Sequence, residues 1–194
     1  MQHYPSVEIS LPAWVADTVK PDSVYETIEA RMALAVELAR LNVANGTGGP
    51  FGAAIFDRDT GKLIAPGVNL VLPSVCSVAH AEIVAIMTAQ RVLGTFDLAR
   101  EGFPACELVS STEPCAMCLG AIPWSGVRSL VCGARDEDAR AVGFDEGDKP
   151  AGWAKGLEAR GISVQRDVNR EVAAAVLSDY IARGGELYNS RGTG

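Results

Sequence analysis

Apolar residues at Val24, Ile28, Met32, Val36, Ala39 and Val43 recur three or four positions apart, which predicts one stripe of a helix over about 22–45. Asp22 is its expected N-cap, with Glu26 one position beyond the ideal capping-box site. The glycine-rich stretch 45–50 ends it. Two short apolar runs, 53–57 and 62–71, flank a turn and predict a β-hairpin with an irregularity at Pro66–Gly67. After a loop containing Pro73, the pattern predicts a helix from about Ala79 to Leu93. The runs 106–112 and 129–133 read as buried strands around a short helix that ends near Trp124, with Pro114 in its first turn. A short helix over 134–142, an acidic Gly/Pro-rich loop over 144–153 and a strand over 162–166 follow. The last helix, 170–184, ends on a glycine cap. Strands that alternate with helices predict an α/β fold with a sheet covered on both faces. Residues 1–21 read as an extended arm, 22–185 as one catalytic domain and 186–194 as a tail that could act as a lid.

Composition narrows the possible functions. The chain has 194 residues, 48% apolar and 21% charged, enough to bury the core of one domain. A net charge of −7 without basic clusters argues against nucleic acid and anionic membranes as partners. No apolar run approaches the length of a membrane span, and the N-terminus lacks a secretory pattern. Five cysteines, an odd number, argue for reduced thiols and a cytoplasmic protein. Cys106 and Cys132 read as small buried hydrophobes. His3 lies in the N-terminal arm, which leaves His80 as the histidine available to a packed site.

His80-Ala81-Glu82 precedes Pro114-Cys115-Ala116-Met117-Cys118, with 34 residues between His80 and Cys115. His-x-Glu…Pro-Cys-x-x-Cys is a known signature of zinc deaminases. The chemistry agrees with it. Cys115 and Cys118 share one helix face at a positive helix end, which favours thiolate. Two thiolates and a neutral imidazole balance Zn²⁺ and leave a fourth tetrahedral position for water. Zinc lowers the pKa of that water from about 15.7 toward 7, and Glu82 is the candidate proton carrier. Residues two apart on a helix point to nearly opposite sides, so His80 and Glu82 can meet only if the metal sits over the helix end. Cys76, four residues before His80, admits an alternative: a closed four-ligand structural zinc site in a binding module without turnover.

The stretches GGPFGAAIF (48–56), GVN (67–69), AHAEIVAI (79–86), SSTEPCAMCLGAIPWSGV (110–127) and AVGFDEG (141–147) resemble the cytidine deaminase superfamily and, within it, the bacterial guanine deaminases. The pairing of IPWSGV with GFDEG selects the guanine deaminases. The resemblance implies a three-layer αβα sandwich around a mixed five-stranded sheet, one catalytic zinc with a bound water per subunit, and a homodimer. The implied reaction is hydrolytic deamination of guanine to xanthine and ammonia, with zinc-bound hydroxide attacking the amine-bearing carbon. By position, His80, Cys115 and Cys118 are the implied zinc ligands and Glu82 the proton shuttle. Glu146 is the implied second carboxylate, Asn69 the purine-binding asparagine and Phe51 a ring near the base. Ala81 supplies a backbone contact, Trp124 lines the pocket, and Tyr188 in the tail could fold over it. Alternative substrates are guanosine, cytosine, cytidine, an aminotriazine or, against the charge, tRNA adenosine.

Overall fold

The structure is a computed structural model and describes residues 4–189. His3 and the terminal residues 190–194 lie outside the described residues. Five strands form one sheet: β1 (Gly52–Asp57), β2 (Leu63–Val68), β3 (Cys106–Thr112), β4 (Ser129–Ala134) and β5 (Ser163–Gln165). Their order is β2-β1-β3-β4-β5. β1 runs antiparallel to β2 and β3, whereas β3, β4 and β5 run parallel, so the sheet is mixed. The β1–β2 register shifts at Ile55/Phe56, opposite Leu63 and Ala65, rather than at Pro66–Gly67.

Alternation along the strands divides the core in two. Ala54, Phe56, Val109 and Val131 face α2 (Ile28–Ala44) and α8 (Arg170–Ala182). Ala53, Ile55, Leu108 and Leu130 face the other layer, which includes α4 (Ala81–Leu93), α5 (Ala116–Ser125) and α7 (Trp153–Glu158). The period of two makes each strand serve both layers, which gives the αβα sandwich. α4 lies very close to β2. A Cβ on Gly67 would sit 2.3 Å from Ala81 O and 2.5 Å from Ala85 N, so only glycine admits the helix there.

Several boundaries differ from the sequence expectation. α2 begins at Ile28, because Thr27 accepts the Ala30 N–H and caps it, while Asp22 has a φ of 66° and cannot start a helix. Val24, outside the helix, is exposed. The N-terminal arm contains a helical turn, α1 (Trp14–Thr18), with Val15 buried and Trp14 packed against the core. Pro73 sits inside the short α3 (Val71–Ser74) rather than in a plain loop. Pro114 precedes α5 instead of occupying its first turn, since Cys115 is the cap. α6 (Asp136–Ala141) matches the short acidic helix, while α7 begins at the last residue of the expected loop and runs into a stretch with no predicted element. The last helix stops at Ala182, and Gly184 with a φ of 79° follows its cap residue Arg183. Among the described residues, no helix is long and apolar enough to cross a membrane.

Candidate active site

The site forms beyond the carboxyl end of β3, where the starts of α4 and α5 meet. His80 caps α4 with extended backbone (φ −71°, ψ 156°), and Cys115 caps α5 in the same way (φ −62°, ψ 171°). Neither side chain bonds its own helix, so both are free to face each other, and His80 Nδ1 lies 3.5 Å from Cys115 Sγ. His80 is a cap rather than a helical residue, which removes the geometric conflict with Glu82. Cys118, one turn into α5, is fully buried. The ligand atoms of His80, Cys115 and Cys118 all lie within 4.8 Å of one another. Zn–S and Zn–N bonds of about 2.3 and 2.05 Å make a tetrahedral edge of about 3.6 Å, so the sulfur–nitrogen spacing fits a zinc ion. Cys76 is not part of the cluster, and all five cysteines are free.

Two carboxyl groups are buried beside the cluster. Glu82, in the first turn of α4, is 6% exposed, and burial with the nearby Cys115 sulfur raises its pKa above the usual carboxylate range. Glu146 is equally buried; desolvation first and Cys115 second push it up to about 8, against the pull of Lys149. Its backbone carbonyl accepts the Ala116 N–H at 2.9 Å, which joins the 144–149 segment to α5. Cys115 is drawn down to about 4, chiefly by the neighbouring Cys118 and then by His80. Perturbed acids, a thiolate and an imidazole in one cleft mark a site for chemistry rather than for packing.

These groups open on a cavity of about 340 Å³ walled by Phe51, His80, Glu82, Cys115, Glu146 and Tyr188. Phe144 organises the aromatic side, edge-on to Phe51 at 4.9 Å and tilted against Tyr188 at 5.5 Å. The Tyr188 hydroxyl is buried without a hydrogen-bond partner and lies against Gly49, where a Cβ would come within 2.1 Å of it. Asn189 holds this last segment in place: its Nδ2 donates to Gly143 O, and its Oδ1 accepts the Asp145 N–H, each at 2.9 Å.

Three residues expected to contact substrate do not line the cavity. Asn69 is buried at the end of β2, but its Oδ1 accepts the Val71 N–H at 3.3 Å, and it is Val71 that lines the cavity. Ala81 is buried between two lining residues without lining the cavity itself. Trp124, expected in the wall, is 88% exposed and lines no part of the cavity. It lies eight residues into α5, about 12 Å along the axis from the helix start that forms the site.

Other residues carry the geometry without an advance signal. Asn42, on α2 and fully buried, donates through Nδ2 to Gly49 O (2.9 Å) and Asn69 O (2.8 Å). Its Oδ1 accepts from Thr47 Oγ1, which in turn accepts from Trp14 Nε1 at 3.0 Å. A lone asparagine in an apolar helix pattern offered no hint of this. Phe144 does carry a sequence signal, since it lies within the AVGFDEG stretch.

A family model for the cytidine and deoxycytidylate deaminase zinc-binding region matches residues 25–134. The chain is 45% identical to a guanine deaminase of Bacillus subtilis over 123 residues, 60% of this chain and 74% of that one. A solved structure described as guanine deaminase from Nitrosomonas europaea superposes with a TM-score of 0.88 at 51% identity, covering 93% of this chain and 100% of that one. The solved complex of NE0047 with 2,6-diaminopurine gives a TM-score of 0.89 at 52% identity, covering 96% and 98% of the two chains.

Proposed function

The chain belongs to the cytidine and deoxycytidylate deaminase family, with that family's zinc-binding region, and from this premise we propose that it hydrolyses guanine to xanthine and ammonia. The observation that carries the reading is the convergence of two buried carboxyls, Glu82 and Glu146, with His80, Cys115 and Cys118 on one purine-sized cavity. The similarity to guanine deaminases, and to a structure holding a purine analogue, supports the substrate class.

His80, Cys115 and Cys118 would hold one zinc ion, which when bound acts as a Lewis acid and makes hydroxide available at neutral pH. Glu82 takes the proton released from the attacking water and returns it to the ring. Burial suits it to this task, because a carboxyl whose pKa lies above the usual range can both hold and release a proton near neutrality. Guanine presents N1–H and its exocyclic amine side by side, and a carboxylate accepts from both. Adenine lacks the N1–H donor and would leave that acceptor partly unpaired, at a cost on the order of 1–3 kcal/mol. Glu146, on the amine side of the ring, takes the remaining proton of the added hydroxyl as the new carbonyl forms and delivers it to the departing ammonia. Asn69 offers one donor and one acceptor to the base, provided its side chain leaves the Val71 N–H. Phe51 and Tyr188 close the aromatic walls.

The same proposal includes a catalytic domain over 22–185, flanked by an arm and a tail that closes the cavity. It also includes a homodimer. Trp124 and Phe96 are exposed rings, and the Leu98 N–H to Ser125 O bond ties their two segments together, which leaves an apolar surface for a second copy. Free cysteines support a reducing, cytoplasmic setting, and a net charge of −7 opposes an RNA partner.

Ammonia release by the zinc-loaded protein, measured on guanine, guanosine, cytosine, cytidine and a guanine-like triazine, tests the reading. Preference for guanine, with turnover abolished in Glu82→Gln while zinc is retained, is the expected result. Full turnover in that variant overturns the mechanism, and preference for another amine overturns the substrate.

A further inference from the structure

We infer that Lys149 is a positioning residue for Glu146: its ammonium pins the 145–149 segment to the start of α5 and thereby fixes where the Glu146 carboxyl sits relative to the His80–Cys115–Cys118 cluster. The inference rests on the role proposed above for Glu146.

A lysine in an acidic Gly/Pro-rich loop belongs in solvent by default, because burying an ammonium without partners is costly. Here the Lys149 side chain is only 6% exposed. Its Nζ donates to Pro114 O at 2.9 Å, one residue before Cys115, and pairs with Asp136 Oδ1 at 2.6 Å. The ammonium also lies 5.8 Å from the centre of the Trp153 ring. Asp136 is shared: Arg140 Nε bonds its other oxygen at 2.5 Å, and Arg140 Nη2 donates to Gly147 O at 2.5 Å. Residues 144–150 form neither helix nor strand, so no backbone ladder fixes them. The segment is gripped instead at four points around Glu146: the Asp145 N–H by Asn189, its own carbonyl by the Ala116 N–H, Gly147 O by Arg140, and the Lys149 side chain by Pro114 and Asp136. The Ala116 N–H holds Glu146 to the residue after a proposed metal ligand, and the Lys149 grip reaches from beyond Glu146 back to the residue before it. That grip therefore couples the position of the acid to that of the cluster.

The test is Lys149→Met in the zinc-loaded full chain, which keeps side-chain length and removes the donors, with Lys149→Arg as the conservative variant. Hydrogen exchange should speed at the amides of 116 and 144–148 and stay unchanged in α8, with zinc content retained. For guanine, kcat should fall on the order of tenfold to 100-fold, with KM moving less. Lys149→Arg should recover most of the loss. In a Glu146→Gln background, adding Lys149→Met should change kcat by no more than about twofold, because the residue acts through Glu146. Unchanged exchange overturns the inference, and so does an equal loss in both backgrounds. A wild-type protein that leaves guanine untouched refutes the proposed function, while the exchange measurement still decides the clamp. Should Lys149→Met fail to fold, Asp136→Asn loosens the same grip and is read in the same way.

Discussion

At the scale of single residues, the site is built from side chains whose backbone lies just outside regular structure. His80 and Cys115 can meet because each is a helix cap, and a cap side chain is not bound to the helical periodicity that would separate His80 from Glu82. Asn42 does comparable work from within a helix. One amide hydrogen-bonds the carbonyls of both Gly49, against which Tyr188 packs, and Asn69. Asn42→Ala should cost about 1–3 kcal/mol in urea unfolding, because buried carbonyls lose their donor. Asn42→Asp should cost more, since an oxygen would then face two carbonyl oxygens. A denaturation midpoint equal to wild type in both variants contradicts this account.

At the scale of elements, the decisive contact is α4 on β2. Gly67→Ala would place a methyl carbon 2.3 Å from Ala81 O, and the helix that begins with His80 would have to shift. The expected outcome is a loss of about 1–3 kcal/mol of stability together with weaker zinc retention, read by thermal unfolding and by metal content after dialysis. The elements also show where sequence was a sufficient guide. Strands rich in apolar residues, such as Ser129–Ala134, were legible because both faces are buried, and the His80/Cys115/Cys118 spacing was legible because metal chemistry restricts residue type. Boundaries were less so. Asp22 and Thr27 are both acceptable caps by composition, and only the left-handed backbone at Asp22 excludes it. α7 carries no periodic signal because Trp153–Glu158 is six residues long, too short for a periodicity to emerge. The exposure of Trp124 was not legible in its motif, since sequence gives neighbours along the chain but not distance along a helix axis from a cavity.

At the scale of the whole molecule, polar ties connect what the two apolar cores hold. Arg31, buried on α2, reaches Glu107 on β3 at 2.7 Å and the carbonyls of Tyr25 and Arg58, while Ser129 on β4 donates to the other Glu107 oxygen. Arg31→Met strands a buried carboxylate and should destabilise the fold by about 3–5 kcal/mol, whereas the double variant Arg31→Met/Glu107→Gln should recover part of that; urea titration of both distinguishes them. On the surface, Arg170 and Arg135 hold Asp138 and Asp167 below the usual carboxylate range and join α6 to the start of α8. Depressed folded-state values mean that this support is present above the unfolded pKa of about 3.9 and is lost as pH falls through the folded values. Melting temperature should therefore decline below about pH 4, and the decline should shrink when Arg170 is replaced by Met. The tight seat of α4 has a practical consequence for anyone redirecting this protein toward a bulkier amine. Randomising Gly67, Ala81 or Ala85 would move the proposed zinc ligand His80 before it widened anything. The diversity of a directed-evolution library belongs in the 71–77 stretch, where Val71 and Ser77 face the cavity while Leu72 and Val75 face solvent, so that new shapes can be sampled without disturbing the helix start that carries His80.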